Sequence, residues 1–189
     1  MDGGFPPLEG CARIGPNAIL QLVAVLDADL GRATRNRVML AAGQTVPPPD
    51  AGMWPEAACR AVHQTVYRDL AQLAPALMTR AGTATADYIL ANRIPGPAKA
   101  LIRWLPTVLG ARLLTAAITR HAWTFAGSGR FRVLSHRPLL LEIADNPLGG
   151  PVHWHAAVFA RLYQALVWPD ARVEFGEDRR VSHFLILPR

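Results

Sequence analysis

The segment His121-Ala122-Trp123-Thr124-Phe125-Ala126-Gly127-Ser128-Gly129 gathers an imidazole, two aromatic rings and a glycine-rich exit in one short stretch. A flat, metallated macrocycle needs that combination: aromatic or aliphatic walls, one axial ligand and little polar clutter. Imidazole nitrogen is a suitable axial ligand for Mg or Zn at the centre of a porphyrin. The same residues also suit a helix C-terminus packed into a core, with His121 near the negative end of the helix dipole. Gly127-Ser128-Gly129 does not make a dinucleotide loop. Such a loop follows a strand, opens a helix and places a third glycine three residues after the second. Here Arg132 stands at that third position.

A second constellation is His153-Trp154-His155. On a helix, residues two apart point to nearly opposite faces, so these imidazoles could not share one metal. In an extended chain they would share a face. His155 is in line with Phe159, Leu162 and Leu166, which predicts a buried, hydrogen-bonded histidine on the face that meets a sheet. Glu142 with Asp145, and Asp27 with Asp29, do not form an evident acid–base pair. There is no HExxH or GxSxG pattern, and no cysteine in a nucleophile setting. Arg93, Arg103, Arg112 and Arg120 recur through the middle of the chain. They read either as a solvated basic face or as guanidinium clamps for carboxylates, which Arg holds in a planar, two-pronged geometry.

These residues must be positioned by a chain of 189 residues, 51% hydrophobic and 18% charged, with a net charge of +6. That composition excludes disorder and suits one domain with a sizeable core. Lys99 is the single lysine; every other basic residue is arginine. Only Arg32, Arg35 and Arg37, and Arg130 with Arg132, lie close together, so no basic arm for nucleic acid is expected. Cys11 and Cys59 belong to no CxxC pattern, which argues against a disulfide framework or an iron–sulfur cluster built by this chain alone. No built-in metal is expected. The opening MDGGFPPLEG lacks the basic and apolar regions of a signal peptide. Each apolar stretch is too short to span a bilayer. A cytoplasmic location is expected, with membrane contact at the surface only.

Periodicity orders the elements. Residues 1–14 read as a flexible leader, and 15–189 as one domain with a helical part at 15–128 and a sheet part at 129–189. Ile19, Leu22, Val23, Leu26 and Leu30 make a helical stripe that stops at Gly31. A short helix over 32–42 follows, then the stiff linker Pro47-Pro48-Pro49-Asp50. Further helices are expected at 55–73, 84–93, 98–105 and 107–121, with breaks at Pro75 and Pro106. After Gly129 the pattern shifts to short alternating runs. Strands are expected at 131–135, 139–144, 172–175 and 182–187, with a helix at 152–167 between the two hairpins. The fold class is therefore α+β: N-terminal helices, then β-β-α-β-β, giving a four-stranded antiparallel sheet backed by helices.

Four stretches carry a wider resemblance: ARIGPNAILQLVAVLD at 12–27, TADYILANRIPGPAKALIRWLP at 85–106, RHAWTFAGSGRF at 120–131 and HWHAAVFARLYQALV at 153–167. Together they resemble the bacteriochlorophyll 4-vinyl reductase family and its 4-vinyl reductase domain. The resemblance implies a fold shared with transport-particle subunits and a role in bacteriochlorophyll biosynthesis. It implies a divinyl Mg-tetrapyrrole ligand, a Mg-porphyrin or protochlorophyllide, and contact with enzymes of that pathway at or near the photosynthetic membrane. Many domains of that wider group carry cysteines near the last helix and hairpin; here no Cys follows Cys59. The expected site is an apolar cleft between the helical part and the sheet. Trp123 and Phe125 line it, His121 or His155 is the axial ligand, and Arg120 or Arg130 meets a carboxylate. A binding or carrying protein, a vinyl reductase with a nicotinamide or flavin donor, and a ligand-sensing or assembly module are the three functions these readings leave open.

Overall fold

The computed structural model describes residues 12–149, 152–178 and 180–188. Most of the stretch read as a leader lies outside them. Its end, Arg13–Ile14, forms β1 and pairs antiparallel with β2, Trp54–Pro55. This pairing has no periodic signal, because a two-residue strand is too short to show one. Ile14 is nonetheless fully buried.

Helix α1, Asn17–Ala41, starts just after Pro16, whose ring pre-sets the first turn. Gly31 interrupts it with φ +78°, a conformation that favours glycine, so the expected stop divides one helix into two segments. Helices α2 (Glu56–Asp69) and α3 (Ala74–Asn92) follow. α3 is longer than periodicity suggests. Pro75 sits in its first turn, where no backbone N–H is needed, and so begins the helix rather than breaking one. α4 (Gly96–Trp104) and α5 (Thr107–Arg120) flank Pro106 as expected, and a short turn of helix, α6 (Trp123–Ala126), comes next.

The remainder is β3 (Arg130–His136), β4 (Leu139–Ala144), α7 (His153–Leu166), β5 (Arg172–Asp178) and β6 (Val181–Leu187). The strands form one antiparallel sheet in the order β3-β4-β6-β5. Leu139, Leu141 and Ile143 alternate inward on β4, and Ser182, Phe184 and Ile186 do so on β6. α7 packs on the sheet and also on α3, and α3 packs on α1. The α3–α7 crossing is close. A side chain at Gly82 would meet the Trp154 carbonyl oxygen and come within 2.8 Å of the Ala157 methyl. No helix among the described residues is long and apolar enough to cross a membrane.

Candidate functional site

α5 runs beside β3, one of the two edge strands, and a groove opens between them. Its larger part is a cavity of about 600 Å³ lined by Val108, Ala111, Arg112, His136, Leu139 and Trp168, among others. A second cavity of about 540 Å³ continues it along α5, past Ala116, Thr119 and Arg120, to Val133. Arg112, Thr115 and His136 border both. None of the lining residues is acidic. The groove is therefore aliphatic on its walls and basic at its rim, with one imidazole.

His136 reaches this groove through an irregularity in β3. Phe131 opposes Ile143 and Val133 opposes Leu141, so both share the inner face of the sheet. Strict alternation would turn His136 outward with Arg132. The register shifts between Val133 and Ser135, and His136 then opposes Leu139, an inward residue. A bulge of this kind re-aims a side chain, here an imidazole, toward α5. The following Arg137–Pro138 peptide is cis.

The floor is built from α5 and α7. Thr115 Oγ1 donates to the Ala111 carbonyl at 2.6 Å and lies 2.6 Å from the Tyr163 hydroxyl. Thr115 has one proton to give, so Tyr163 is the donor to Thr115. Tyr163 is fully buried and stacks on Trp168, with ring centroids 5.6 Å apart and planes 17° from parallel. Trp168 in turn borders the larger cavity. Gly110 lets α5 approach α4: a side-chain carbon there would lie 2.8 Å from the Ile102 carbonyl oxygen.

Of the residues expected at a ligand site, Arg120 lines the groove. The others lie elsewhere. His121 is exposed at the end of α5, and Trp123 is exposed on α6. Phe125 packs edge-on against Phe131 and Phe159. Arg130 pairs with Asp145 at 3.2 Å on the surface. His155 is 2% exposed, and its Nε2–H donates to the Phe125 carbonyl at 3.3 Å. Burial, then the neighbouring His63, depresses its pKa to about 3. His155 is thus a neutral core histidine, as its helical alignment predicts. His153 points away from it, and its Nδ1 lies 3.1 Å from the Tyr67 hydroxyl. Among the described residues no group of three or more His, Cys, Asp or Glu is placed to hold a metal ion. Neither His136, Trp168 nor the bulge has a spacing signal in the sequence. Arg112 stands in the sequence only as one of a recurring arginine series.

No family model matches the chain. The bacteriochlorophyll synthase 23 kDa chain of Rhodobacter capsulatus is 60% identical over 181 residues, covering 92% of this chain and 85% of the relative. The chain belongs to this family. The 23 kDa chain of Cereibacter sphaeroides is 53% identical over 168 residues, covering 85% of this chain and 82% of the relative. The resemblance to vinyl reductases therefore holds at the coarser level: the relatives carry a bacteriochlorophyll name and not a vinyl reductase one. Among solved structures, the Fe(II) unliganded H-NOX protein from K. algicida matches with a TM-score of 0.62 at 10% identity, over 93% of this chain and 97% of that one. An H-NOX protein from S. oneidensis in the Fe(II)NO ligation state matches with a TM-score of 0.57 at 10% identity, over 93% and 99%. The α+β class and the antiparallel sheet agree with expectation. The fold these matches share with the 23 kDa family member is that of H-NOX domains, where a vinyl-reductase or transport-particle type was expected.

Proposed function

We propose that this protein binds a carboxylate-bearing tetrapyrrole of the Mg-porphyrin or protochlorophyllide class in the groove between α5 and the sheet, as a binding or carrying component of bacteriochlorophyll biosynthesis. One observation carries the reading. Arg112 and His136 border both parts of an acid-free groove whose larger part has Val108, Ala111, Leu139, Ile186 and Trp168 in its wall. The names of the two 23 kDa relatives support the pathway.

The lining fits the ligand class. The larger cavity alone lies within the usual range for small-molecule sites, ~300–1,000 Å³. Macrocycle faces would meet Val108, Ala111, Leu139, Ile186 and Trp168, and burial of apolar area contributes roughly 25 cal/mol per Å². His136 would offer nitrogen to the central metal. Arg112 and Arg120 would meet acidic side chains of the pigment as charge-assisted pairs, which fix orientation. The proposal is for binding and needs no redox step.

The test is a titration with a divinyl Mg-porphyrin followed by the Soret band, beside the same pigment with its carboxyls esterified. A saturable one-to-one shift, about tenfold weaker for the ester, is expected from losing a hydrogen bond to a charged group. Absence of a saturable shift would overturn the reading. Pigment chromatography after anaerobic incubation with and without NADPH separates carrying from reduction, because only a reductase yields the product with one vinyl group fewer.

A further inference from the structure

We infer that the hairpin formed by α4 and α5 is a docking surface for an anionic lipid bilayer. From Tyr88 to Leu141 the chain has no Asp or Glu, yet it carries eight basic residues. This stretch holds more than the whole net charge of +6. Arg130 and Arg132 at its end meet Asp145 and Glu142. Arg93, Lys99, Arg103, Arg112 and Arg120 form no ion pair with an acid among the described residues. Lys99 and Arg103 donate to the Leu90 and Ala165 carbonyls, at 2.7 and 3.1 Å, which orients them without neutralising their charge.

The same hairpin bares its largest apolar side chains. Trp104 is 83% exposed, Leu101 49% and Leu109 48%, with Val108 and Leu113 close behind. Leu101 and Trp104 are one turn apart on α4, and Leu109 and Leu113 one turn apart on α5. The helices spend their other faces on the core through Ile102, Ala111 and Leu114. Scattered exposed leucines need no explanation, but a run of them beside a bare tryptophan on one hairpin does.

The choice of a bilayer follows from how the two residue types are mixed. A protein interface concentrates apolar groups at its centre and leaves charge to the rim. Here Arg112 falls on the same face of α5 as Leu109 and Leu113, three residues after the first and one before the second, and on α4 Arg103 directly precedes Trp104. An apolar face with basic side chains at its flank is what a helix lying in the headgroup layer presents, with tryptophan at the boundary and long basic side chains reaching back to lipid phosphates. Val108 and Arg112 also line the groove, so docking would bring its mouth to the lipid surface. This last step rests on the pigment-binding reading; the docking itself does not.

The experiment is sedimentation of the full chain with vesicles of phosphatidylcholine, alone or with about 30% phosphatidylglycerol, a content chosen to give a negative surface potential. Strong pelleting with the anionic vesicles is expected. It should fall at least tenfold with the neutral ones and in about 1 M salt, where the Debye length is ~3 Å. Two double variants, Leu101→Gln with Trp104→Ser and Arg93→Gln with Arg103→Gln, should each lose pelleting while keeping the parent's circular dichroism and its pigment titration. The second pair tests the surface even if the first unfolds. Pelleting that ignores lipid charge, or that survives both double variants, overturns the proposal. So does a concentration-dependent dimer abolished by Trp104→Ser, which would give the face to a second copy.

Discussion

The carboxylate of Glu56 holds Ser128 from 72 residues away: the Ser128 backbone N–H donates to Oε2 at 2.8 Å and its hydroxyl to Oε1 at 2.9 Å. Glu56 is 5% exposed, and Arg60, one turn on, donates to Oε1 at 3.0 Å. The glycine-rich exit that invites comparison with a cofactor loop is therefore a tether between α2 and the start of β3. Glu56→Ala should cost about 2–3 kcal/mol, from hydrogen bonds to a charged acceptor lost in a buried place. Gly127→Ala should also destabilise, because Gly127 has φ +51° and an added methyl would lie 2.5 Å from Glu56 Oε2. Urea midpoints check both, and parent-like midpoints would refute the tether.

A pH dependence follows from two buried imidazoles. His63 Nε2–H donates to the Ala18 carbonyl at 2.9 Å, and burial depresses its pKa to about 4. His155 is pushed lower still, to about 3, by burial first. In the unfolded chain both titrate near ~6.5. Below that pH the unfolded state takes up protons that the folded state refuses. The stability these histidines contribute is full above ~6.5 and falls as pH drops through 6 and 5, by roughly 1 kcal/mol per pH unit for each. Urea unfolding at pH 7, 6 and 5 reads it. His63→Gln should remove about half the slope.

The Thr115–Tyr163 pair predicts an asymmetry. Tyr163→Phe removes a donor and leaves Thr115 still bonded to the Ala111 carbonyl, for a loss of about 1 kcal/mol. Thr115→Val leaves the Tyr163 hydroxyl buried without its acceptor and should cost more, about 2 kcal/mol. Equal costs would contradict the donor assignment.

Gly82 sets the α3–α7 crossing. Gly82→Ala should lower stability by about 2 kcal/mol, despite alanine's better helix propensity, because the methyl must displace backbone at Trp154. Thermal unfolding decides the sign.

The helices and the sheet were legible where a pattern repeats. Alternation placed β3 to β6 within a few residues of their observed limits, and the stripe from Ile19 to Leu30 placed α1 up to Gly31. The two-residue spacing of His153 and His155 foretold opposite faces on a helix, and the structure places one imidazole in the core and the other beside Tyr67. Most of the residues that line the groove between α5 and the sheet were not legible. The groove depends on a register shift of one residue in β3 and on Trp168, Thr115 and His136 meeting from three separate elements. No local spacing encodes such a meeting. The aromatic segment around Trp123 is conspicuous in the sequence because its residues are adjacent. Adjacency divided them between an exposed Trp123 and a Phe125 packed among other aromatic rings.

The most direct test of pigment binding in this groove is equilibrium titration of a divinyl Mg-porphyrin against the parent, His136→Ala, Arg112→Gln and the two combined, with His121→Ala as a control outside the groove. Binding there predicts about tenfold weakening for each single groove variant. His136→Ala should also change the Soret position, the combined variant should bind weakest, and His121→Ala should match the parent. Parent-like affinity and Soret position in the folded combined variant, or loss of binding in His121→Ala alone, would contradict it.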